Sequence, residues 1–174
     1  FIAQHHEADP DAIDLLEGEG GVVMGSNEEY TALIEYVKTH DLSVRENYEY
    51  VADRIDIDNY IDWCTLEMYV ANRDLSNIKF WKSRSIDGKW RWILYDLDWG
   101  FYHMPQHGPK EFMDIFSSFL NTKGYGSNDN DNSLILGLLA NEGFRQRFIE
   151  RFVYHCTVTF DPDKVLRRID ELAA

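Results

Sequence analysis

Basic residues are scarce in this chain: 17 Lys plus Arg stand against 31 Asp plus Glu, a formal net charge of -14. Nucleic acid and anionic lipid surfaces are bound through clustered cationic side chains, so neither is expected as the main partner. A small anion held through a metal ion remains compatible with the acidity. Cysteine is nearly missing as well. Cys64 and Cys156 are too few for a zinc cluster or a disulfide-dense scaffold, and they allow but do not demand one disulfide, so the redox compartment stays open. No apolar run approaches the roughly 18 residues that span a bilayer, so no membrane span is expected. The chain opens at Phe1 without a charged segment and apolar stretch of the secretory kind, which leaves the question of export untouched.

What is present is a core-forming composition. Of 174 residues, 44% are hydrophobic and 14% aromatic, which places the chain among single globular domains. The first 25 residues are short apolar pieces broken by Gly and acid, with residues 12–16 the best strand candidate. Gly18, Gly20, Gly21 and Gly25 read as turn glycines, because no Lys followed by Ser or Thr closes a phosphate loop.

Helix signals follow. Ser26 with Glu29 forms a capping box, and Tyr30, Leu33, Ile34 and Val37 take the spacing of one buried face, predicting a helix over 27–39. Ser43 with Glu46 repeats the box before a shorter helix. A third helix opens near Asp56 or Asp58, carries Ile57, Ile61, Cys64 and Met68 on one stripe, and is expected to end near Asn72. Between residues 77 and 98 the pattern turns β-branched and aromatic around Asp87-Gly88, a two-residue hairpin signal. Another helical pattern covers Phe112 to Phe119, and 124–132 reads as an exposed loop. Asn141 and Asp161-Pro162 open two last helices. The expected class is α+β: mainly helical, with one central β-hairpin and no internal repeat.

The hairpin carries the chemistry. With Asp87 and Gly88 as the loop residues, Lys79 faces Asp96 and Asn77 faces Asp98, and Asp74 arrives three residues before Asn77. Alternation along the strand would put Asp96 and Asp98 on one side, about 7 Å apart at Cα. Two carboxylates and a carboxamide are hard oxygen ligands suited to Mg²⁺, Mn²⁺ or Ca²⁺. The plainer alternative is that these acids cap strand ends. Against it, Trp90, Trp92 and Leu94 would precede Asp96 on the same face, and acids closing an apolar run need a cation or dense hydrogen bonding. Between Arg73 and Trp92 six cations meet only Asp74 and Asp87, a local net of +4, so the remainder carries -18. A charged strand edge and a phosphate-bearing ligand both account for this. His5, His6, His103 and His107 are weaker metal candidates, since Pro105 interrupts the last pair. Residues 128–132 lack the Gly and closing Glu of a calcium loop.

The run Asn72-Arg73-Asp74-Leu75-Ser76-Asn77-Ile78-Lys79-Phe80-Trp81, followed by Lys89-Trp90-Arg91-Trp92-Ile93-Leu94-Tyr95-Asp96-Leu97-Asp98-Trp99-Gly100-Phe101, resembles the CotH kinase family, the spore coat protein H-like atypical protein kinases. The resemblance runs through nearly the whole chain, and Asp96-Leu97-Asp98-Trp99-Gly100-Phe101 is its most specific piece. It implies a kinase-like C-terminal lobe and phosphoryl transfer from ATP, with Mg²⁺ or Mn²⁺, to Ser or Thr hydroxyls of a coat or surface protein. It implies Asp74 as the catalytic acid, Asn77, Asp96 and Lys79 at the nucleotide, and Asp96, Asp98 and Asn77 at the metal. The order of acid, Asn, hairpin and acid is that of ordinary kinases, although the spacing of Asp74 and Asn77 is not and no His-Arg precedes the acid. No lysine precedes residue 26, so residues 1–174 are expected to form one unit of a larger kinase domain, without its nucleotide lobe. Secretion, a cell surface or a bacterial spore coat is the location implied. Two other readings stand beside it: a glycosidase or metal-dependent hydrolase using Asp74, Asp96 and Asp98, because tryptophans beside carboxylates suit a sugar, and a non-catalytic coat or surface module.

Overall fold

The computed structural model describes residues 1–72, 77–98, 100–101 and 131–174. These form a mixed α+β structure, mainly helical, with one four-stranded antiparallel sheet. A short α1 (Ile2–His5) and a 3₁₀ turn (Pro10–Ala12) lead into β1 (Ile13–Glu17) and β2 (Gly21–Met24). Helices α2 (Glu28–Thr39), α3 (Arg45–Ala52) and α4 (Ile57–Tyr69) follow, then β3 (Lys79–Ser83) and β4 (Arg91–Ile93). The chain closes with α5 (Ser133–Ala140), α6 (Glu142–Tyr154), a π turn (His155–Thr159) and α7 (Pro162–Ala173).

The sheet runs β2-β1-β3-β4, so the expected single hairpin is two hairpins joined through β1 and β3. The glycine-rich stretch after residue 18 is partly strand: Gly21–Met24 pairs with β1 through an irregular register, and all four of its residues are exposed. An exposed strand has no alternation of burial to betray it.

The β3–β4 register also differs from expectation. Lys79 pairs with Ile93, Phe80 with Trp92 and Trp81 with Arg91, so Lys79 lies opposite a residue three places before Asp96. The cause is local. The Asp87 carboxylate accepts from the Lys89 backbone N–H at 3.0 Å and from the Arg91 guanidinium at 2.9 and 2.6 Å, an Asx-type closure that widens the loop. Trp90 meanwhile turns its backbone away from β3, donating to Arg54 O at 2.9 Å and accepting from Asp56 N at 3.0 Å. The outer edge of β4 is closed by one side chain. Asn59 accepts from Trp92 N at 2.6 Å and donates to Trp92 O at 3.1 Å, imitating a neighbouring strand.

Helix starts follow the capping residues closely at three places. Asp56 accepts from Asn59 N, Asn141 from Phe144 N and Asp161 from Lys164 N, with Pro162 at the first helical position. The two capping boxes do not close. Ser26 accepts from Glu28 N at 3.2 Å, but Asn27 and Val44 are the N-cap residues and neither makes a side-chain cap bond. Glu29 reaches Lys82 instead. Helix α4 ends at Tyr69, short of Asn72.

The core lies between the sheet and the helices. Leu16, Phe80 and Trp92 from the strands, with Trp90 just before β4, meet Leu33, Val37, Ile61, Cys64, Leu134, Leu138 and Phe144 from the helices. Cys64 and Cys156 are both free thiols. Two residues along the same sheet face from the Leu16–Phe80 pair sits a buried charge group: Lys82 and Asp14, themselves paired across β1 and β3, are 1% and 2% exposed. Lys82 Nζ lies 3.6 Å from Asp14 and also contacts Glu29, while Arg84 grips both Asp14 oxygens at 3.0 and 2.9 Å. Gly25 is required beside it. Its φ is 79°, and a Cβ there would sit 2.2 Å from Asp14 Oδ1. Helix α6 is tied to α4 by Arg147–Asp58 at 2.6 Å and Arg151–Asp62 at 2.6 Å, and the π turn after it by His155–Asp62 at 2.8 Å.

Candidate functional site

Asn77 stands two positions before β3 and Asp96 three positions after the last residue of β4, so the hairpin delivers both to its open end. They meet there: Asn77 Nδ2 donates to Asp96 Oδ2 at 2.5 Å. The extended strand has already ended at Ile93, and Asp96 takes a left-handed backbone at φ 53°. A non-glycine residue seldom rests there, although Asp and Asn tolerate it best. This turn cancels the alternation argument for Asp96 and Asp98. Both carboxylates are exposed, and so is Leu94, which does not continue the buried face of Trp90 and Trp92.

The residues on both sides of 73–76 are tied to this same segment. Upstream, Phe101 N donates to Val70 O at 2.6 Å, and Gly100 packs so closely on Val70 that a Cβ would lie 3.1 Å from its carbonyl oxygen. Downstream is the Asn77–Asp96 bond. Asp74 itself, with Arg73, Trp99, His103, His107, the expected 112–119 helix and most of the 124–132 loop, lies outside the described residues. Ala71 and Phe101 share the left-handed backbone, at φ 54° and 53°, so three of the four non-glycine residues with positive φ among those described lie on the segments bracketing this site.

One participant was not foreseen. Glu67 and Asn72 are each 1% exposed, and Asn72 donates to Glu67 twice, from its side chain at 2.8 Å and its backbone at 3.0 Å. The pair closes the turn of the chain that follows α4. The signal was legible: Glu67 sits one position before Met68 and three after Cys64 on the apolar stripe of α4, where an ionisable side chain needs a partner.

The basic residues of the hairpin are mostly consumed by the fold. Lys82, Arg84 and Arg91 face Asp14, Glu29, Asp56 and Asp87, and Lys89 Nζ donates to Ala52 O at 3.0 Å. Lys79 differs. Its ammonium lies 4.1 Å from the Tyr95 ring centroid, a cation–π contact at the mouth of the Asn77–Asp96 pair. Among the described residues no group of three His, Cys, Asp or Glu side chains is gathered to hold a metal ion. The oxygens of Asn77 and Asp96 therefore make a partial donor set of the hard type.

The model of the CotH kinase protein family matches residues 6–174, nearly the full length. The chain belongs to the CotH kinase family. No curated protein and no solved structure matches it.

Proposed function

We propose that this chain is the metal-binding, C-terminal-lobe part of a CotH-type protein kinase, transferring phosphoryl groups from ATP to Ser or Thr hydroxyls of a protein substrate. The observation that carries the reading is the meeting of Asn77 and Asp96 at the open end of the hairpin in a chain of this family. Asn77 and Asp96 would hold a Mg²⁺ or Mn²⁺ ion, with Asp98 close behind, and such an ion when bound offsets the charge of the nucleotide phosphates. The left-handed Asp96 and the Glu67-Asn72 turn support it, because each fixes a backbone next to the residues that must converge. Asp74 is proposed to accept the proton of the attacking hydroxyl, and Lys79 to face a phosphate.

The sugar reading has less support, since Trp90 and Trp92 are core residues and do not stand exposed beside Asp96 and Asp98. No helix among the described residues is long and apolar enough to cross a membrane. We take residues 1–174 as one unit of a larger kinase domain acting on a coat or surface protein outside the cytoplasm.

The test is calorimetric titration of the chain, and of a longer form reaching upstream, with ATP in the presence of Mn²⁺ or Mg²⁺. Metal-dependent binding that disappears in Asp96→Asn, with unfolding temperature unchanged, is the expected result. Binding that ignores the metal, or that survives Asp96→Asn, removes the kinase reading. Absence of nucleotide binding in both forms leaves the non-catalytic coat module in its place.

A further inference from the structure

A cavity of about 280 Å³ opens between the β1–β2 turn, α2, α4, β4 and α5, with Ile78 in its wall. Its floor is aromatic. Tyr30, Tyr60, Trp63 and Trp92 line it, and the last three touch one another, with ring centroids 4.4 Å apart for Tyr60–Trp92 and 6.3 Å for Trp63–Trp92. Its rim is acidic: Glu19, Glu35 and Asp131 stand there against the single cation Lys38. Lys38 Nζ pairs with Asp131 at 2.8 Å and lies 4.0 Å from Glu35, so the rim already gathers an ammonium at its edge and still keeps an acid excess.

Aromatic rings present negative faces, and acids above them add to the same potential. A phosphate or carboxylate entering here would meet repulsion from three carboxylates. A wholly apolar occupant would strip water from the rim acids without replacing it. A compact organic cation on a short apolar stem satisfies both layers, its stem on the rings and its charge among the acids. We infer that this cavity is a binding site for a side-chain-sized ammonium or guanidinium group, carried by a basic peptide or by a free amine. The Tyr30 phenol reports the field inside: burial first, and then the charges of Asp131 and Glu19, push its ionisation far above the ordinary tyrosine value. The inference stands apart from the phosphotransfer reading, and its test contains neither nucleotide nor metal.

The probes are n-butylguanidinium, n-butylammonium and the neutral n-butylurea, titrated into the whole chain. Trp63 and Trp92 fluorescence and calorimetry read the binding. Both cations bind and the urea does not. Glu19→Gln and Glu35→Gln, at exposed positions, each weaken binding about threefold, the size of an exposed charge contact. Lys38→Met strengthens it by a similar factor, because the resident competitor for Asp131 is gone. A Lys- or Arg-containing tripeptide that binds more tightly than the free cation marks a peptide as the source, and equal affinity marks a small amine. Either supports the site. Equal binding of butylurea, no binding of either cation, or weaker binding in Lys38→Met overturns it.

Discussion

Replacing Asp14 by Asn tests the buried charge group from which the sheet's architecture is built. The substitution keeps the shape and keeps an oxygen for Ser26 N, which donates to Oδ1 at 2.9 Å. It removes the charge that faces Lys82 at 3.6 Å and Arg84 at 2.9 Å. Arg84 is half exposed and returns to solvent at little cost, but the Lys82 side chain is 2% exposed and keeps only Glu29, itself 70% exposed. Removing one partner of a buried pair costs about 3–5 kcal/mol. The remaining Glu29 contact puts this case at the lower end, about 3 kcal/mol, or about 10 °C in unfolding temperature for a chain of this size. Lys82→Met leaves Asp14 with Arg84 and Ser26 and costs about 1 kcal/mol. The double variant removes both charges from the interior and is expected to be more stable than Asp14→Asn alone, with a coupling of about 2 kcal/mol. Urea unfolding followed by tryptophan fluorescence suits the measurement, since Lys82 Nζ lies 5.3 Å from the Trp90 ring centroid. Strictly additive effects of the two substitutions would refute the reasoning.

Four other outcomes are expected. The Asp87 carboxyl is held down at about 2, chiefly by the Arg91 hydrogen bonds and with burial opposing them; its contribution is full above the ordinary 3.8 and is lost as pH falls through about 2. Acid titration of Asp87→Asn should therefore show a flatter loss of stability between pH 4 and pH 2 than the parent protein. Gly25→Ala meets both a left-handed φ and a 2.2 Å approach to Asp14 Oδ1, so calorimetry should show a loss of about 2 kcal/mol, and no loss would contradict the local geometry. Asn59→Ala opens the outer edge of β4 by removing both bonds to Trp92, a cost of about 2 kcal/mol in urea unfolding together with faster amide exchange at Trp92. At Asp96, Asn preserves the φ 53° backbone and should unfold like the parent, whereas Asp96→Ala loses about 1 kcal/mol through strain. A melting temperature equal for the two variants would remove strain from the account.

The helices were legible because their signals are local. Asp56, Asn141 and Asp161 each cap within three residues, and the stripe from Ile57 to Met68 is buried as its spacing requires. The sheet was half legible. Residues 12–16 announced β1, but β2 is exposed and glycine-flanked, and the β1–β3 pairing leaves no trace in either segment's own pattern. The hairpin register was misread because Asp87-Gly88 was treated as a two-residue turn, while the Asp87 carboxylate, the Arg91 guanidinium and the Trp90 backbone build a wider one. The open end still brought Asn77 to Asp96, through the left-handed turn at Asp96 instead of a straight register. The +4 hairpin charge fitted a charged strand edge and a phosphate-bearing ligand equally. Lys82, Arg84, Lys89 and Arg91 are engaged by the fold itself; a Lys or Arg in sequence carries no mark of whether its partner is a ligand or a carboxylate seventy residues away.

The strand order carries a consequence for how the molecule assembles. The β1–β2 and β3–β4 ribbons each close over short stretches of chain, but the central pairing of Ile13 with Ser83 and Glu17 with Lys79 waits until α2, α3 and α4 are laid down between them. Long-range pairing of this kind is the slow step in assembling a sheet. Shortening the chain past residue 18 would touch neither Asn77 nor Asp96. It would nevertheless leave the inner edge of β3 without its ladder and Lys82 without Asp14, and the backbone oxygen of Ile78, next to Asn77, would lose the Gly18 N–H that now holds it at 2.9 Å.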